Sequence, residues 1–195
     1  MSLRSPRVWL AVLVAGVAGP FLAAAPAAAH VGHPVEGWVD GLLHPITGPD
    51  HLLAMLAVGV VAATMRRSIW LAPAAFLGGM VVGGVAGLID VPFPGAEVLI
   101  LGSVFLLGLS IAGALREEGA WAVAALLVAG AAHGHAHGAE APEAANVAAY
   151  LGGFLFATAS LHLTGMGLGT IVRDRRTARL SVGLATVTGG ALLLA

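Results

Sequence analysis

The chain has no cysteine and no lysine, and only 10% of its 195 residues are charged. Without cysteine there is no disulfide, thiolate nucleophile or cysteine-based metal site. Without lysine there is no Gly-rich loop ending in Lys-Ser or Lys-Thr, which excludes ATP hydrolysis by that route. A net charge of −1 offers nothing to nucleic acid. What remains is apolar: 58% of residues are hydrophobic, the mean hydropathy is +0.94, and there are 28 glycines. A soluble domain of this size does not need so much apolar surface. The composition therefore predicts an all-α, polytopic membrane protein.

The first segment reads as a leader. Arg4 and Arg7 give a basic start, VWLAVLVAGVAG gives an apolar stretch, and Ala27-Ala28-Ala29 fits the small-residue cleavage rule. Residues 1–29 are thus expected to be a cleaved signal peptide, with an uncleaved first helix as the alternative. Cleavage would make His30 the new N-terminus of a transmembrane domain, 30–195. Apolar runs of about 20 residues cross a bilayer as helices. Six are expected, at 41–65, 69–89, 96–115, 120–137, 146–170 and 178–195. Six spans put Arg66, Arg67, Arg116, Arg173, Arg175, Arg176 and Arg179 on one side. Positive side chains stay in the cytoplasm, so both mature termini are expected outside it. Gly79, Gly83 and Gly87 recur every four residues, as do Gly165 and Gly169, a spacing that lets helix backbones approach closely in lipid.

Polar groups within such a chain are costly, and they cluster. HPITGPDHLLAM, residues 44–55, holds His44, Asp50 and His51. Pro45 and Pro49 disfavour a continuous helix here. A helix is expected from about Gly48 to Met65, preceded by a shorter helical or re-entrant piece from about Glu36 to Leu43. Broken helices at membrane depth line cavities. A second group, His133, His135 and His137 in AAHGHAHGAE, is read as an outward-facing histidine-rich loop whose glycines let the rings converge. His162 lies deeper, near the midplane, and His30 and His33 lie at the outer mouth. Imidazoles with a carboxylate suit nickel, cobalt, zinc or copper; alkaline-earth ions would want more oxygens. Met55 and Met166 share helix faces with His51 and His162, and are read mainly as packing residues.

Three stretches, His44 to Met55, His133 to Glu140 and Phe154 to Gly165, together with the leader and the six-span plan, resemble the HupE/UreJ family of bacterial membrane proteins. The resemblance implies a nickel or cobalt permease of the cytoplasmic membrane. It would serve hydrogenase or urease maturation proteins, with Ni²⁺ or Co²⁺ as the moved ion. The residues alone support a membrane protein with a divalent-metal site made of His44, Asp50, His51 and His162, fed by His30, His33, His133, His135 and His137. Two other readings stand beside the permease. One is a membrane accessory or sensor that binds metal without moving it. The other is an intramembrane zinc hydrolase using Ser160, although no enzyme activity is the expectation.

Overall fold

A computed structural model describes residues 37–65, 68–113, 115, 119–141 and 146–194. The expected leader, His30 and His33 lie outside the described residues, as do Arg66, Arg67 and Arg116. The described residues form seven α-helices and no strand: α1 Trp38–Thr47, α2 Pro49–Thr64, α3 Leu71–Leu88, α4 Ala96–Ala112, α5 Ala120–Ala139, α6 Val147–Val172 and α7 Arg176–Leu192. Two of them, α3 and α6, are each long and apolar enough to cross a membrane, and the bent pair α1–α2 makes a third if it counts as one span.

The break in that pair falls at Gly48, and α1 bends from α2 by 83°. Gly48 is extended, with φ −83° and ψ 111°. A residue before proline is pushed out of the helical region, and Pro49 suits the first helical position because its missing N–H costs nothing there. Pro45 was expected to interrupt the helix and does not. It sits inside α1, in the last turn, at the cost of the bond its missing N–H would have made to the Gly41 carbonyl, and the helix ends only at Thr47. The Gly48 N–H and the Thr47 hydroxyl both donate to the His44 carbonyl, at 3.2 and 3.1 Å, and close the end of α1.

Glycines set the packing. Gly79, Gly83 and Gly87 of α3 lie against the backbone of α5 at Leu127, Ala131 and His135. Gly130, Gly134 and Gly138 of α5 answer against Phe76, Met80 and Gly84. Any side chain at these positions would collide with a carbonyl oxygen, so the two helices run parallel in backbone contact. α6 is held the same way: its Gly165 meets Leu56 of α2, and Gly59 of α2 meets the His162 backbone. Gly153 of α6 meets Trp38, and Gly41 of α1 meets Tyr150. α4 and α7 pair antiparallel through Gly108 and Gly183. There Arg179 donates from Nε to the Ile111 carbonyl at 3.0 Å, a cation at the C-terminal end of α4. Met55 and Met166 are buried in the apolar core, as packing residues.

Candidate metal centre

Four helices meet at the N-terminal end of α2. α1 supplies His44 and α2 supplies Asp50 and His51 from its first turn. α5 supplies His133 and His137, and α6 contributes Tyr150 and Phe154 as a wall. His137 is the hub. Its ring centroid lies 4.2 Å from that of His51, 4.6 Å from His44 and 4.2 Å from Phe154. His51 and His133 are 4.9 Å apart, and His44 and His51 are 6.5 Å apart.

The stretch read as a loop is the last two turns of α5, which runs to Ala139. Alanine is the strongest helix former, and the turns are clamped against α3. On a helix, residues four apart share a face and residues two apart do not. His133 and His137 therefore point together into the cluster, and both are almost fully buried. His135 is thrown to the other side. Its Nε2 lies 2.7 Å from the Val91 carbonyl and its ring lies 5.5 Å from Phe93, so it ties α5 to the connection between α3 and α4. The structure does not bring His135 into the cluster.

Hydrogen bonding decides which ring nitrogens are available. Asp50 Oδ1 lies 2.9 Å from His51 Nδ1. The carboxylate accepts the Nδ1–H, which leaves the lone pair on Nε2. The Ser103 hydroxyl donates to the Ile100 carbonyl at 2.6 Å and also lies 3.2 Å from His133 Nε2. Its single proton is committed to Ile100, so it must accept from His133 Nε2–H. The lone pair of His133 then sits on Nδ1. Both freed atoms, His51 Nε2 and His133 Nδ1, are buried without a hydrogen-bond partner, as are both ring nitrogens of His137. Buried polar atoms are normally satisfied, and several orphaned imidazole nitrogens beside one another form a donor set for a cation. A carboxylate or hydroxyl holding the far nitrogen of a ligand histidine is the usual outer support of a metal site.

Toward the open side, ligand atoms of His44, His137 and Glu140 lie within 4.8 Å of one another. His44 Nε2 and Glu140 Oε2 are 3.8 Å apart, and Glu140 is well exposed. His137 thus belongs both to this outer group and to the inner one with His51 and His133. His162 stands apart. It is 1% exposed, both its ring nitrogens are unpartnered, and Phe76 packs against it at 5.6 Å. Ser160 returns its hydroxyl to the Phe156 carbonyl at 2.8 Å, so its one proton is committed to its own helix.

A family model described as HupE / UreJ protein matches residues 11–194. The chain belongs to the HupE/UreJ family. Protein HupE of Rhizobium leguminosarum bv. viciae is 39% identical to it over 168 residues, 86% of each chain. No solved structure matches. Family and helices together make this HupE/UreJ chain a membrane protein. Reading its sequence missed Glu140 as a donor, along with Ser103 and Phe76. Glu140 was legible once a helix was assumed, since 133, 137 and 140 fall on one helical face. A single serine in the apolar α4 carried no such signal.

Proposed function

We propose that this HupE/UreJ chain is a permease of the bacterial cytoplasmic membrane that admits a divalent transition metal, nickel first and cobalt as the alternative. The observation that carries the reading is the set of orphaned ring nitrogens on His51, His133 and His137. Such nitrogens are costly when buried, and a divalent cation compensates them. The family's association with nickel and cobalt handling for hydrogenase and urease supports the choice of ion.

In this reading His30, His33 and Glu140 gather the ion outside, and His44, Glu140 and His137 bind it first. His137 passes it to His51 and His133, and His162 receives it further in. Asp50 acts through His51, fixing its tautomer and raising its basicity. A changing donor set avoids a saturated cage that would trap the ion. A negative interior supplies about 2.3 kcal/mol per charge per 100 mV, and twice that for a divalent ion. Maturation proteins of hydrogenase or urease would take the ion on the other side, with the arginine-rich loops cytoplasmic and the termini outside.

The test is radioactive nickel flux into vesicles holding only this protein, at an imposed negative potential. Uptake that disappears in His137→Ala, with the variant still folded in the membrane, supports the permease. Nickel bound by the wild-type protein but never delivered to the lumen refutes it in favour of a binding accessory.

A further inference from the structure

Below the donor cluster, two buried polar side chains of α6 have no partner. Thr158 is 0% exposed and His162 is 1% exposed. Neither Thr158 Oγ1 nor either ring nitrogen of His162 makes a hydrogen bond. They lie one helical turn apart and share a face. The contrast within α6 is informative. Ser160 and Thr164 return their hydroxyls to carbonyls four residues earlier, at 2.8 and 2.9 Å, the ordinary resolution for a hydroxyl in an apolar helix. Thr158 has the same option and does not take it.

Between His162 and the His133 side of the cluster stands the ring of Phe76. It is fully buried, 5.3 Å from the ring of His133 and 5.6 Å from that of His162. No imidazole of the upper cluster packs against His162; the aromatic ring fills the interval. The backbone beneath that ring has no room to shift. Gly130 of α5 lies against the Phe76 carbonyl, and Gly134 and Gly79 clamp the next turn of the same interface. On the other side, Gly59 of α2 holds α6 at His162. Both helices are fixed through their backbones, which leaves side-chain rotation as the available movement.

We propose that Thr158 and His162 form a second cation station, and that the Phe76 ring is the gate dividing it from the upper cluster and setting which ions pass. This inference rests on the permease reading and deepens it. An apolar constriction excludes ions that keep their water shell. A nickel ion already holding imidazole on the His133 side passes when the ring swings aside, because a second imidazole waits beyond. A hard cation such as Mg²⁺ gives up its water reluctantly and favours oxygen ligands, so it gains nothing from either ring. The aromatic face also offers a passing cation an attractive surface for the transfer.

The experiment uses the full chain in vesicles enclosing a metal-sensitive dye, with Ni²⁺ or Mg²⁺ outside. Phe76→Leu and Phe76→Ala should raise nickel flux about tenfold, a barrier lower by about 1.4 kcal/mol, and should admit Mg²⁺. Phe76→Trp should slow nickel by a similar factor. Nickel binding to the upper cluster, measured by calorimetry on the same preparations, should be unchanged, which also reports that the variants fold. Thr158→Val keeps the volume and removes the oxygen, and it should cut flux while leaving that binding intact. Wild-type flux and ion choice retained in both smaller Phe76 variants would overturn the gate. Undiminished flux in Thr158→Val would overturn the oxygen's part in the second station. Wild-type vesicles that admit no nickel overturn the permease reading itself, and the gate with it.

Discussion

Replacing Asp50 by asparagine separates a supporting carboxylate from a direct ligand. Asp50 Oδ1 sits 2.9 Å from His51 Nδ1, and this bond leaves the His51 lone pair on the buried, unpartnered Nε2. Asparagine keeps the size and can keep the bond, but it removes the charge that makes the imidazole a better donor. Losing such a support costs about 10–100-fold in metal affinity, equivalent to about 1.4–2.7 kcal/mol. Alanine is the poorer choice, because an unpaired buried Nδ1–H adds a penalty of about 1–3 kcal/mol to folding. The assay is calorimetric nickel titration of the purified protein in detergent, with His51→Ala as the reference for a lost ligand. Co²⁺ bound in place of nickel gives a visible spectrum that reports the donor set. Asp50→Asn should weaken Co²⁺ binding while leaving its spectral shape intact. Wild-type affinity in Asp50→Asn, or a loss as complete as in His51→Ala with a changed spectrum, refutes the assignment.

Other outcomes follow from the same geometry. His135→Ala should leave nickel flux at the wild-type rate, since that ring faces Val91 and Phe93, and should lower thermal stability by about 1 kcal/mol for one lost hydrogen bond. Ser103→Ala removes the acceptor that fixes the His133 tautomer, and should weaken nickel binding by about tenfold, with a loss of about 1–3 kcal/mol in thermal unfolding because the buried His133 Nε2–H is left unpaired. Gly134→Ala would press a methyl group into the Met80 carbonyl. It should cost about 1–3 kcal/mol in thermal unfolding and lower nickel affinity too, because His133 and His137 flank it on the same turns. Nickel binding needs neutral imidazole, so uptake should fall as external pH is made acidic, more steeply than one proton per ion when several rings release together. Uptake that stays undiminished even in strongly acidic medium, with the protein still folded, would remove histidine from the ligand set.

The helical class was legible because apolar length alone specifies it. Glycine spacing marked the tight contacts of α3 with α5 and of α6 with α2. His44, Asp50 and His51 were legible as a group because two prolines interrupt an apolar run beside them. Pro45 misled: sequence shows that proline disfavours a helix interior, but α1 absorbs the one missing bond and the break falls at Gly48, before the second proline. The alternate histidines misled differently. A spacing of two suits an extended strand, and glycines between them suggested a turning chain. Clamping by α3 kept the segment helical, which split the three rings between two faces. Phe76, Ser103 and Thr158 carried no local signal at all, because their roles come from neighbours far along the chain.

The bend at Gly48 has an electrical consequence. α2 has 16 residues, about 24 Å of helix against a hydrocarbon core of about 30 Å. α1, turned nearly at right angles, adds little depth. In the permease reading, an insulating layer no deeper than α2 is long would drop a given voltage over a shorter path. The force on an ion admitted along that path would then be greater by about one quarter than across an undistorted bilayer.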